Sequence, residues 1–162
     1  QKWSKLSSYK DLKVGLIWAG DPKHKNDHNR TIDPSLFSPI LNLKDIMVFS
    51  LQVGHSGEAK QVLGEKIIDL EPEINSFDDT AAIMKNLDII VSIDSSPAHL
   101  AGALGCKVWI LLPLMPDWRW MLDGKTTPWY PSMSLFRQTE IGNWKNVIQK
   151  ICHELRTTRS SN

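Results

Sequence analysis

A carboxylate, two hydroxyls and an imidazole stand within one short stretch, at Asp94, Ser95, Ser96 and His99. Together they suit holding an anion, because a hydrogen bond to a charged partner contributes about 1.5–3 kcal/mol. They do not suit nucleophilic attack, since neither serine lies in the G-x-S-x-G elbow of an α/β-hydrolase. A second group is basic and runs from Lys23 through His24, Lys25 and His28 to Arg30. Arg30 is its best anion partner, because a guanidinium can meet phosphate oxygens at two points. The plain alternative for each of these cations is a solvated basic loop.

The elements around these residues decide whether they can meet. Residues 87–93 are an apolar run that reads as a buried parallel strand. A helix should follow, with Ser96 as its N-cap, Pro97 at its first position and Gly105 as its stop. Asp94 then ends a strand and His99 lies in the first helical turn, where free N–H groups and the positive dipole end attract phosphate or carboxylate. Further strands are expected at 13–20, 46–52, 66–70, 107–113 and 134–138. Helices are expected at 34–43 (capped by Asp33), 56–63, 79–87 and 143–156, with loops at 21–31 and 114–131. This alternation gives an α/β, three-layer Rossmann-like domain with a mainly parallel sheet of about six strands. Its basic loop and its Asp94 corner fall on one sheet edge, where ligands of such folds bind.

Length and composition narrow the classes. At 162 residues and a net charge of +1 the chain is one domain without a sustained basic stripe, which argues against general nucleic-acid binding. Cys106 and Cys152 are far apart and outside any C-x-x-C, so neither a disulfide framework nor zinc is indicated, and a reducing interior fits. No apolar run approaches the ~18–20 residues of a membrane helix. Residues 1–12 read as a lead-in from an upstream region, residues 13–156 as the folded domain, and residues 157–162 as a tail.

Other motifs are weaker. His24 and His28 have a zinc-helix spacing, but Lys25 replaces the glutamate and no third ligand is near, so no metal is expected. Gly124-Lys125-Thr126 imitates the end of a P-loop, yet Arg119 stands at the required earlier glycine. Asn29-Arg30-Thr31 matches a glycosylation sequon, which is irrelevant inside a cell. No G-x-G-x-x-G follows the first strand, which speaks against dinucleotide redox chemistry. Trp118, Trp120 and Trp129 could stack on a base or sugar or meet a partner domain, while the bland expectation folds Trp118 and Trp120 back onto the core. Arg119 between them could pair with an anion or stack on a ring.

The combined pattern is more specific than its parts. Val14 to Gly20, Asn29-Arg30, Ser50-Leu51-Gln52, Asp79-Thr80-Ala81-Ala82, and Asp94-Ser95 with His99-Leu100-Ala101-Gly102-Ala103-Leu104 resemble the carboxyl-terminal half of GT-B glycosyltransferases related to lipopolysaccharide heptosyltransferases. The likeness is nearest to bacterial proteins that fuse tetratricopeptide repeats to such a domain and that are loosely similar to protein O-GlcNAc transferases. Asp117-Trp118-Arg119-Trp120 and Trp129-Tyr130-Pro131 are typical of them, and the resemblance covers about residues 13–155.

The resemblance implies a donor site for a nucleotide-diphosphate sugar, with no metal and no further cofactor. Asp94 would order the loop, Ser95, Ser96 and His99 would hold the diphosphate, and Arg30 would neutralise it. Ser95 stands where threonine is commoner and Ser96 where glycine is, which narrows the space for phosphates. Gln52, at the end of the second strand, would lie near the nucleoside or the sugar. The catalytic base and the acceptor site would lie on an amino-terminal Rossmann-like half outside this chain, with a repeat domain as a further neighbour. Such a transferase, acting on a glycan, lipid-linked or protein acceptor, is expected in the cytoplasm, with the inner face of the membrane as the alternative placement. The rival from another class is a binding or scaffolding module that kept the fold and lost transfer. A nucleotide-sugar epimerase half shares the architecture, but the Asp-Trp-Arg-Trp stretch speaks against it.

Overall fold

The computed structural model describes Trp3, Leu6, residues 8–55 and residues 57–160. Six strands form one parallel sheet: β1 (Leu12–Ile17), β2 (Ile46–Ser50), β3 (Ile67–Asp69), β4 (Ile89–Ile93), β5 (Val108–Leu112) and β6 (Met133–Arg137). Their order across the sheet is β3-β2-β1-β4-β5-β6, so the winding reverses between β1 and β4. β4 and β5 are buried along their whole length, as a central parallel strand covered on both faces must be.

Period-two alternation sends neighbouring residues into two separate cores. Val14, Leu16, Val91, Ile93 and Leu111 enter one core, which is closed by α2 (Ser38–Leu41), α3 (Glu58–Leu63) and α6 (Trp144–Ser160). Ile17, Ile90, Ile110 and Leu112 enter the other, beneath α4 (Phe77–Met84) and α5 (Ser96–Ala103). α6 contributes Val147, Ile148, Ile151, Cys152 and Leu155, the stripe of an amphipathic helix. The expected three-layer Rossmann-like architecture is therefore present.

Several local expectations need correction. The loop at 21–31 contains a single helical turn, α1 (Asp27–Arg30), held where Asp27 carboxylate oxygens accept from Arg30 Nε and Thr31 Oγ1. The helix expected at 34–43 begins as a 3-10 turn at Pro34–Phe37 before α2, although Asp33 does accept from Ser35 N. α4 starts at Phe77, ahead of Asp79, because Ser76 Oγ accepts from Asp79 N and caps it. α3 starts at Glu58; Ser56, where that helix was expected to begin, lies outside the described residues. α6 runs to Ser160 and takes in part of the stretch read as a tail. Trp3 and Leu6, in the expected lead-in, are buried in the α4–α5 core. Among the described residues no helix is long and apolar enough to cross a membrane.

Candidate functional site

The carboxyl ends of β1, β2 and β4 open onto a cavity of about 670 Å³ at the point where the sheet order reverses. Gly20, Lys23, Arg30, Gln52, His55 and Ser96 are among its walls. A smaller cavity of about 240 Å³ adjoins it, walled by Asp94, His99, Asp117 and Arg119 among others. His24, Arg30, Ser95 and Ser96 line both. The basic loop and the Asp94 corner therefore meet, as their common sheet edge required.

Arg30 sits at that junction. Its Nε donates to Asp27 Oδ1 at 3.0 Å and its Nη1 to the Asp94 carbonyl at 2.8 Å. Nη2 rests against Gly20, and any side chain at Gly20 would overlap the guanidinium. The absent Cβ three residues beyond β1 is what admits the arginine.

The turn into α5 differs from the expected one. Ser95, not Ser96, is the N-cap, and its side chain makes no capping bond. The Ser95 hydroxyl is buried against Ser92 Oγ at 3.2 Å, and the Ser95 carbonyl accepts from the N–H groups of Ala98 and His99. Pro97 has no N–H, so the Ser96 N–H and hydroxyl are the donors at the helix mouth. Gly105, at φ 70°, follows the helix as its stop, in the left-handed conformation that ends helices.

His99 is held on three sides. Its Nε2 lies 3.4 Å from Asp94 Oδ1, its Nδ1 lies 3.1 Å from the Tyr130 hydroxyl, and its ring stacks on Trp120 at 5.3 Å between centroids. A hydrogen bond from His99 to a phosphate would have to replace one of these contacts, and the longer one to Asp94 is the weaker. Burial alone would raise the Asp94 pKa. Hydrogen bonding from His99 and the Trp120 indole, with attraction to His99 and Arg30, outweighs it and holds the carboxyl below the usual range. The Trp120 Nε1–H is itself buried and approaches Asp94 without closing a hydrogen bond of ordinary length.

Gln52 is 5% exposed, and its Oε1 accepts from the backbone N–H groups of Trp18 (3.1 Å) and Ala19 (2.9 Å). Its Nε2 donates to the Val53 carbonyl, so the side chain shapes the cavity wall by pinning the end of the first strand. Of the three tryptophans, Trp120 is buried as expected, whereas Trp118 is 72% exposed, against the expectation that it folds back. Arg119 does both things foreseen for it, pairing with Asp117 at 2.8 Å and lying 4.9 Å from the Trp118 ring centre. Among the described residues no three His, Cys, Asp or Glu side chains converge as metal ligands would.

No family model matches the chain. It is 30% identical over 159 residues to Protein FlbA of Caulobacter vibrioides, a match covering 92% of this chain and 26% of that protein. The crystal structure of the glycosyl transferase family 9 from Veillonella parvula DSM 2008 superposes with a TM-score of 0.68 at 11% identity, over 99% of this chain. E. coli ADP-heptose lps heptosyltransferase II superposes with a TM-score of 0.64 at 16% identity, over 93% of this chain. The fold is glycosyltransferase-like. The chain spans 51% and 47% of those two solved chains, so it shares its fold with about half of each.

Two contributors to the site escaped sequence reasoning. His55 lines the larger cavity with its Nδ1 2.7 Å from Glu58 Oε2, and the same carboxylate oxygen accepts from Trp18 Nε1 at 3.4 Å. Tyr130 was read as part of an aromatic loop, yet its hydroxyl orients His99. It can do so because Gly102 leaves room on α5: a Cβ there would meet the Tyr130 ring at 2.7 Å. The Trp18–Glu58 and His99–Tyr130 contacts join segments distant in sequence, and the local His55–Glu58 pair matches no motif.

Proposed function

We propose that this chain is the carboxyl-terminal, donor-binding half of a metal-independent glycosyltransferase of the GT-B type. Its donor is a nucleotide-diphosphate sugar. The acceptor, a glycan, a lipid-linked sugar or a protein, is presented together with the catalytic base by an amino-terminal Rossmann-like half, in a protein that also carries tetratricopeptide repeats. The observation that carries this reading is the pair of cavities joined across Arg30, Ser95 and Ser96. A nucleotide diphosphate sugar has that layout: a large group and a small ring linked by an anionic bridge. The larger cavity is within the ~300–1,000 Å³ of small-molecule sites, and the smaller one is below it, which suits a single ring. The bridge would fall at the mouth of α5, where the helix dipole and Arg30 both favour negative charge.

Calorimetric titration with ADP, UDP and GDP, without metal, tests the reading. One diphosphate is expected to bind selectively, and Arg30→Ala and His99→Ala are each expected to weaken it at least about tenfold, near 1.4 kcal/mol. Full affinity in both variants would overturn the site assignment. One observation favours the rival scaffolding role: Met115, Trp118, Leu122 and Trp129 are all exposed on the loop bordering the smaller cavity. Absence of binding to all three diphosphates would favour that rival.

A further inference from the structure

Arg137, at the end of β6, lines neither cavity. Its guanidinium nevertheless collects four main-chain carbonyls from the loop opposite. Nε donates to Gly124 O at 3.0 Å, Nη1 to Met121 O at 3.0 Å, and Nη2 to Asp123 O at 2.9 Å and to Trp120 O. The segment it gathers is tightly wound, with Met121 at φ 59° and Gly124 at φ 86°. A methionine in the left-handed half of the backbone map persists only where its surroundings hold it there.

What this clasp holds is the floor of the site. Trp120 is buried, its carbonyl is one of the four, and its ring is the surface on which His99 stacks. The next contact from His99 is Asp94, whose carbonyl in turn anchors Arg30. The geometry points to Arg137 as a positioning residue: by fixing Trp120 from behind, it sets the orientation in which His99 meets Asp94 and Tyr130. It does this without touching a ligand. The planar five-donor fork of arginine is what allows four carbonyls to be held at once. A lysine ammonium offers three donors and no fork.

This rests on the donor-site reading only in its binding arm. The test is ring ¹⁵N NMR of His99 in the full chain, read beside urea unfolding and diphosphate titration. Arg137→Lys is expected to retain cooperative unfolding while moving the His99 ring resonances. It is also expected to weaken whichever of ADP, UDP or GDP the wild type binds by about fivefold. Arg137→Ala should move the same signals in the same direction and further. Unchanged His99 resonances in a folded variant overturn the proposal. Loss of cooperative unfolding in both variants also overturns it, because Arg137 would then staple the whole domain rather than position His99. If the wild type binds no diphosphate, the donor-site reading fails, and the His99 resonances alone decide the role of Arg137.

Discussion

The Arg30 guanidinium reaches the main-chain carbonyl of Asp94 at 2.8 Å, across 64 residues of sequence. This bond ties the first crossover of the sheet to the end of β4, across the point where the winding reverses. It makes one side chain both a structural tie and the cation of the candidate site. Replacing Arg30 with alanine is therefore expected to lower stability as well as affinity, by about 1.5–3 kcal/mol on the scale of charged hydrogen bonds. Arg30→Lys should recover part of the affinity through its charge, but less of the stability, because lysine cannot span Asp27 and Asp94 together. Urea unfolding and calorimetry on the two variants separate the roles. Equal loss of both quantities in Arg30→Lys would mean that charge alone does not matter here.

Gln52 should behave as a structural residue first. Its Oε1 is the partner of two buried N–H groups, and Gln52→Leu leaves both unpaired in a similar volume. At about 1–3 kcal/mol for each orphaned donor, the expected loss is about 2–6 kcal/mol, measured by chemical denaturation. A Gln52→Leu protein as stable as the wild type would show that water reaches those donors.

Asp94 sets a pH dependence with a definite sign. Its carboxyl is held below the usual value in the folded protein, so the ionised form is favoured by folding. That stabilisation is fully present above the unfolded pKa of about 3.9 and fades as pH falls through the lowered folded value. Asp94→Asn should therefore lie furthest below the wild type near neutral pH, and the gap should narrow in acid below about pH 4. Unfolding midpoints of both proteins across that range provide the check. A gap that stays constant would place the effect in packing rather than in charge.

The two neighbouring tryptophans should differ sharply. Trp120 is 1% exposed beneath His99, and Trp118 is 72% exposed. Trp120→Ala is expected to cost about 3–5 kcal/mol, the usual range for removing a large core aromatic. Trp118→Ala should stay within about 0.5 kcal/mol of the wild type. Thermal melts of the pair suffice, and similar losses in both would contradict the burial described.

Much of this was legible in the chain itself. The apolar runs at β4 and β5 read directly as buried strands, because a parallel strand covered on both faces must be apolar throughout. The alternation of strands and helices, with right-handed crossovers, then leaves few topologies. Asp94 at a strand end and Arg30 on a strand-end loop follow from that frame, since all parallel strands deliver their carboxyl ends to one edge. Local hydrogen bonds blurred the boundaries: Ser76 moved the start of α4, and the Ser92–Ser95 contact took the hydroxyl expected at the site.

Sequence by itself thus determined the fold class and the edge on which the site lies, because hydrophobic periodicity and chain connectivity are local quantities. Tertiary structure decided which polar atoms at that edge are already engaged. The Gln52 amide closes the end of β1, His99 is clamped between Asp94 and Tyr130, and Arg137 grips the loop beneath Trp120. Apart from the Asp94–His99 contact, which lies within one strand–helix corner, each of these bonds joins residues brought together only when distant segments pack at the same sheet edge. A hydrogen bond depends on tenths of an ångström and on angle, and no spacing along the chain encodes either.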